Sequence, residues 1–384
     1  MIFTKNFIYI ALINFFVSMA YYMLFVISTP YAINHFYVSI SLGGFVAGLI
    51  LIGCLCGRFI AGKIVLLIGF KKLLFTGLIV YILSLVLYLV VDNLYLFMIV
   101  RFISGIGIGC IGTVASVLVV HIIPKELHGQ GINYFSLSAV MAMAIGPFAG
   151  IYMMEHVSFH TIFGFCLAVG IMSFIFALFI LYPSIEKRPE KSSGFHLSEY
   201  ISYAVIPIAI VTMLVTAGYG SLQALLPVHA ANIDMSKTAS IFFLVYAIAA
   251  FASRPFTGKT FDKRGANIII YPALVLTTIG FVLLSLATTS FLMLLSAVFL
   301  GLGIANFQTT IQAICVRLSH GKGISQAIST YFIFMDLGIG MGPYLYGFLA
   351  HYIGFNGLFA SAAAVTFMCI FLYYLVYGKR AYAM

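Results

Sequence analysis

The chain repeats itself, and the repeat is almost wholly apolar. Gly57-Arg58-Phe59-Ile60-Ala61-Gly62-Lys63 returns 196 residues on as Ser253-Arg254-Pro255-Phe256-Thr257-Gly258-Lys259. Gly105-Ile106-Gly107 returns at the same offset as Gly301-Leu302-Gly303, and Gly146-Pro147 as Gly342-Pro343. Gly150 finds Gly347 after a one-residue slip. One offset that serves three separate places marks a duplication. Each copy is then expected to fold into the same apolar unit, which argues for a two-fold repeat of membrane-spanning helices.

Only 7% of the 384 residues are charged and 63% are hydrophobic. A soluble domain carries roughly 25% charged residues, so a single water-soluble core is excluded. Hydropathy predicts twelve stretches long enough to cross a bilayer, where about 20 apolar residues are needed. They run at about 7–28, 39–61, 73–91, 95–120, 131–153 and 161–182, then at about 200–228, 238–257, 268–288, 291–316, 325–349 and 357–377. The long polar break Pro183–Glu199 separates residues 1–182 from 200–384, giving two six-helix halves and a linker over 183–199. The expected fold is an all-α membrane protein of twelve spans in two pseudo-symmetric halves. Duplicated spans of this kind build secondary transporters, with the substrate site between the repeats near mid-membrane.

Orientation follows from the cations. With the N-terminus in the cytoplasm, 17 of the 19 Lys and Arg residues fall on cytoplasmic segments. Of the other two, Lys237 lies outside and Arg101 lies within a span. Both termini are therefore expected in the cytoplasm. The net charge of +10 reads as membrane topology and not as a nucleic-acid surface. The first apolar stretch lacks a small-residue cleavage site, so no removable leader is expected. The six cysteines sit in apolar runs and read as small buried hydrophobes. Cys54-x-Cys56 lacks a second ligand pair, so no metal site is expected.

Three local patterns resemble the major facilitator superfamily, and within it the twelve-span drug:proton antiporters. The superfamily's loop after span two reads G-x-x-x-D-R/K-x-G-R/K-R/K. Gly258, Asp262, Lys263, Arg264 and Gly265 match it in the second half. Gly62, Gly69, Lys71 and Lys72 match it in the first, where Leu66 replaces the acid that latches the halves in that family. Read physically, the glycines permit a tight turn and the cations anchor the inner face. Arg101, Gly105, Gly107 and Gly109 resemble the family's R-x-x-x-G-x-G pattern in span four. Glycines there admit a neighbouring helix, and Arg101 either snorkels to the interface or holds a fixed positive charge against a proton-carrying carboxylate or an anionic substrate. Gly146, Pro147 and Gly150 resemble the family's G-x-x-x-G-P-x-x-G-G signature, with Ala142 and Ile151 departing from it. That signature marks exporters, and Gly342 and Pro343 echo it in span eleven.

The resemblance implies that spans one, four, seven and ten line a cavity. Polar residues at helical spacing give the same reading independently. Asn14, Ser18, Tyr21 and Tyr22 stand on span one, and Thr216, Tyr219 and Gln223 on span seven. Asn306, Gln308, Thr309 and Gln312 stand on span ten. Amides in lipid are costly unless they face protein or water, so this set is expected to bind substrate. Asp336 is the single carboxylate deep in a span, and an intramembrane carboxylate is by default functional. It is the expected proton carrier, with Arg101 as a second charged element.

The sequence thus points to an efflux transporter driven by proton antiport, taking small amphipathic compounds and working by alternating access in the plasma membrane. The alternative is a dedicated exporter of a polar anionic or zwitterionic metabolite, such as a sugar, amino-acid derivative or metallophore. No G-x-x-x-x-G-K-[ST] loop is present, so the proton gradient and not a cofactor or ATP is the expected energy source. No Ser/His/Asp set or HExxH motif suggests an enzyme. A non-transporting sensor of transporter descent would tolerate the loss at Leu66, but no large soluble domain is present to carry a signal. The expected partners are a small-molecule substrate and lipid, and nothing calls for more than a monomer.

Overall fold

A computed structural model describes residues 3–124, 127–182, 201–319 and 323–379. The linker expected over 183–199 lies outside the described residues. So do the side chains of Lys63, Leu66, Gly258, Asp262 and Lys263. Among the described residues every element is helical. The helices are α1 (Lys5–Phe36), α2 (Ile40–Ile68), α3 (Phe70–Leu87), α4 (Leu94–Ile122), α5 (His128–His156) and α6 (Phe159–Leu178). They continue with α7 (Ile206–Asn232), α8 (Ser236–Arg264), α9 (Asn267–Ser285), α10 (Ser290–Leu318) and α11 (Ile324–Tyr373). Among the described residues, eleven helices are long and apolar enough to cross a membrane. The last spans 50 residues and is interrupted at Gly354, whose φ of 70° and ψ of 177° are not helical. Fifty residues at 1.5 Å each would be about 75 Å, more than twice the hydrocarbon thickness. The interruption lies between the two stretches expected at 325–349 and 357–377.

Short polar side chains set several helix starts. Thr4 and Ser158 accept from the backbone amides of Phe7 and Thr161, and such caps satisfy donors that a helix start leaves unpaired. The caps of α4 and α10 occupy equivalent places in the repeat. Asn93 accepts from Leu96 N at 3.2 Å, and Thr289 accepts from Leu292 N at 3.4 Å. The turns after α2 and α8 are equivalent too, at Gly69 (φ 84°) and Gly265 (φ 81°). Positive φ strains any residue with a Cβ, so these two positions require glycine.

The expected loop from Gly62 to Lys72 is corrected by this geometry. α2 runs on to Ile68 and α8 to Arg264, seven residues past each expected end. Gly62 is a helical residue and an added Cβ there would meet nothing within 4 Å. Of the loop glycines, only Gly69 and Gly265 make turns.

The chain packs as two compact units, Met1–Val38 with Leu49–Ser192, and Ser39–Gly48 with Ser193–Met384. The first ten residues after the α1–α2 turn therefore belong with the second unit. In the first unit, α1 packs on α5, and α3 on α4 and α6. In the second, α7 packs on α11 and α10 on α8 and α9. With no tryptophan in the chain, rings of Phe and Tyr fill the ends. Tyr31, Phe97, Tyr88 and Phe163 form one such cluster, with centroids 5.1 to 6.5 Å apart.

The repeat is visible in the contacts themselves. A Cβ on Gly105 would collide with the carbonyl of Ile50, and one on Gly301 with the carbonyl of Tyr246. Gly107 lies 3.0 Å from the oxygen of Gly77 by the same measure, and Gly303 lies 2.7 Å from that of Ala273. Both pairs of partners are again 196 residues apart.

Candidate functional site

In the first unit the expected residues divide between α1 and α4. Asn14 donates from Nδ2 to Ser138 Oγ at 2.8 Å, and Ser138 donates on to Phe135 O at 2.6 Å. This amide therefore ties α1 to α5. Tyr21 and Tyr22 pack ring to ring at 4.8 Å, and Tyr21 also reaches Phe25 at 6.1 Å. Ser18 is half-buried on the same helix. The Gly146-Pro147 turn of α5 seats here. A Cβ on Gly146 would fall 2.6 Å from Met19 O, and one on Gly150 would fall 3.1 Å from the Met23 side chain. The motif is a close-packing surface for α1.

Arg101 is fully buried, which removes the snorkelling alternative. Its Nη1 donates to Leu24 O on α1 at 3.3 Å. Tyr88, Tyr21 and Tyr81 act on it electrostatically. The only acid on the described helices of this unit is Glu155, one residue from the end of α5. Arg101 is thus a buried cation set among phenols and a backbone carbonyl. Tyr81, Tyr88 and Ser104, all buried beside it, were not singled out from sequence. Tyr81 comes from α3 and Tyr88 from the residue just past its end, and nothing in the linear chain ties them to position 101.

In the second unit Asp336 is 2% exposed. It lies twelve residues into α11, about 18 Å along the helix. It acts electrostatically on the buried Tyr331, whose hydroxyl donates to Gln308 O at 3.1 Å. One turn back across the seam, Thr216 Oγ1 donates to Thr212 O at 2.8 Å and to Met335 O at 3.3 Å. A Cβ on Gly338 would strike that hydroxyl, and one on Gly342 would strike Ala217 O. Thr216 therefore belongs to the α7–α11 seam. Gln223 donates to Tyr219 Oη at 3.0 Å, and Tyr219 stacks on Tyr246 at 5.7 Å. Gln308 and Gln312 are half-buried on α10, and Thr309 is exposed, its hydroxyl donating back to Ala305 O at 3.0 Å.

Asn306 has partners that sequence reading overlooked. Its Oδ1 accepts from Thr257 at 2.6 Å and from Ser253 at 3.2 Å, while Nδ2 donates to Leu302 O at 2.7 Å. These residues line a cavity of about 370 Å³ together with Thr260 and Ile269. The equivalent places in the first half are Gly57, Ala61 and Cys110, where Cys110 Sγ donates to Gly57 O at 3.4 Å. Three matched polar replacements between copies were the available signal. Asn306→Ala is expected to cost about 0.5–1.5 kcal/mol by removing the side-chain bonds between α8 and α10, while Thr257 and Ser253 keep their backbone acceptors Ser253 O and Ala250 O. Cys110→Ala should cost less than half as much. Thermal melting followed by circular dichroism compares the two directly.

The sequence pattern of the Major Facilitator Superfamily matches residues 10–323 and, overlapping it, 208–382. The chain is 26% identical over 319 residues to the uncharacterized MFS-type transporter MJ1560 of Methanocaldococcus jannaschii, covering 80% of this chain and 81% of the relative. It is 25% identical over 293 residues to the multi-drug resistance efflux pump PmrA of Streptococcus pneumoniae, covering 73% and 72%. Among solved structures, a POT family transporter in complex with a thioalcohol-conjugated peptide superposes with a TM-score of 0.82 at 14% identity. That match covers 98% of this chain and 96% of the other.

Proposed function

The chain belongs to the Major Facilitator Superfamily, and on that premise we propose that it is a secondary active exporter that exchanges cytoplasmic amphipathic compounds for external protons. Counting α11 as two segments about Gly354 gives twelve spans, six on each side of the linker. Both termini are placed in the cytoplasm, the membrane is the plasma membrane, and the working unit is a monomer. Alternating access by the two halves carries the substrate, and the proton gradient supplies the energy without a resident cofactor.

The observation that carries this reading is the placement of Asp336. It is the one carboxylate deep within a span, it is buried, and it lies on the helix that closes against α7 through Gly338 and Gly342. A carboxyl group on such a seam can exchange its proton only when the seam's surroundings change. That dependence is what couples proton transfer to a conformational cycle. The likeness to multidrug pumps such as PmrA supports export of amphipathic compounds.

A second reading, export of a polar anionic or zwitterionic metabolite, is favoured by one observation. The first unit buries Arg101, a cation that reaches the Leu24 carbonyl of α1. Inside-out vesicles loaded with a pH dye decide between the two. Lipophilic cations, lipophilic anions and polar metabolites are added in turn after energisation. Proton release triggered by several unrelated amphiphiles supports the first reading. Release by one polar class alone, abolished in Arg101→Ala, supports the second. Silence with every class, from protein that elutes as a single folded species, sinks both.

A further inference from the structure

The first unit contains a cavity of about 350 Å³ between α1 and α5. Its walls are Phe3, Phe7, Leu12, Phe15, Tyr134 and Met141. The polar wall residue Ser138 has its hydroxyl committed to Asn14 and Phe135 O. An occupant therefore meets rings and aliphatic groups, and contact with them is hydrophobic and dispersive. The mouth is open, with Phe3 59%, Met141 54% and Tyr134 45% exposed.

A cation stands on the same stripe. Lys5, Ile8, Leu12 and Phe15 recur at helical spacing on α1, and the last three line the cavity. Lys5 is exposed at the first turn of α1, where the free backbone amides add partial positive charge. No acid offsets it nearby among the described residues. Glu155 lies at the far end of α5, 14 residues beyond Met141 and about 21 Å along the helix. Among the described residues the slot is thus apolar, with a cation one helical turn from its lining and no neighbouring acid, which disfavours a lipophilic cation and suits an amphipathic anion. At about 350 Å³ the slot stands at the small end of ligand pockets, roughly 300–1,000 Å³, which suits one alkyl chain.

We propose that the α1–α5 slot binds a single-chain amphipathic carboxylate, with the alkyl body among the rings and the head on Lys5. The proposal rests on the export reading only in making this anion a transported substrate. Occupancy of the slot is a binding property that is measured without transport.

The absence of tryptophan makes the test direct. Met141→Trp places one fluorophore at the mouth of the full-length chain in neutral-lipid nanodiscs. The probes are 9,10-dibromostearate, its methyl ester, and a brominated alkyl quaternary ammonium of equal chain length. Quenching by the carboxylate is expected to saturate and to be reversed by unbrominated stearate. It should be about fivefold tighter than quenching by the ester, the size of one exposed charge pair. Lys5→Gln in the same background should erase that preference while keeping ester quenching. Ala11→Phe, which fills the slot, should remove saturable quenching altogether. Equal quenching by all three probes would mean bilayer partition alone and overturn the proposal. Tighter quenching by the ammonium, an undiminished preference in Lys5→Gln, or displacement of the carboxylate by phosphatidylglycerol in the disc would also overturn it. Specific quenching with no transport would leave the slot standing and remove the export reading. Transport of cations with no specific quenching would do the reverse.

Discussion

Gly105→Leu is expected to abolish folded protein, while Gly112→Leu, two turns further along the same helix, is expected to leave it unchanged. A Cβ at Gly105 would collide with the Ile50 carbonyl and lie 2.8 Å from Cys54 N, both backbone atoms of α2. Backbone cannot swing aside as a flexible side chain does, so α2 and α4 must separate. That separation forfeits the close approach at Gly53, Gly57 and Gly109 as well, because all three rest on the same pair of helices. Overpacking by single methylenes costs about 1–3 kcal/mol. Here the whole seam is lost, and the cost reaches the order of the protein's entire stability, roughly 5–15 kcal/mol. At Gly112 an added Cβ meets nothing within 4 Å, and such substitutions stay within about 0.5 kcal/mol. The monodisperse fraction after detergent extraction, measured by size exclusion, separates the two variants. Similar recovery of both would refute the seam.

Asp336→Asn is expected to remove proton-driven transport, with at least about a tenfold fall in rate, while leaving substrate binding within about threefold. Asparagine keeps the shape and the capacity to hydrogen-bond but cannot load and release a proton. If Asp336 is the carrier, transport down a substrate gradient survives in the variant and loses its dependence on external pH. Asp336→Glu, which keeps the titrating group, should restore part of the coupling. A merely structural carboxyl would show the opposite pattern, with asparagine tolerated and glutamate disruptive. Coupled flux that persists in Asp336→Asn would end the assignment.

The helices were legible because each is an unbroken apolar run, and hydropathy reads such runs without knowing the fold. The ends of α2 and α8 were not. Lys63, Lys259 and Arg264 read as loop because they are charged, yet they stand on helix. Long cationic stems can lie along apolar surface and keep their heads in water, so charge alone does not end a helix. The positive φ at Gly69 and Gly265 does. The site was legible in depth but not in direction. Hydropathy places Arg101 within a span and leaves open whether it faces lipid, interface or protein. Its burial depends on Tyr81 from α3, on Tyr88 just past the end of that helix and on Leu24 from α1. Thr216 and Asn306 were noticed for their polarity, but their partners across α7–α11 and α8–α10 come from packing. For Asn306 the departure of the second copy from the first held the missing information.

One consequence follows from the start of α2. Ser39–Gly48 belong with the second unit, where Gly44 and Gly48 rest on the backbones of Pro343 and Gly340, and Ser41 Oγ donates to Tyr344 O at 3.1 Å. The ancestral duplication therefore did not yield two self-sufficient products. A fragment cut at the linker and starting near residue 200 lacks ten residues of its own fold and leaves a glycine-lined face of α11 uncovered. Such a fragment has an incentive to borrow the missing strand of helix from whichever copy is at hand. Pieces expressed together would find each other through that loan, and a piece expressed alone would be a poor citizen of the bilayer.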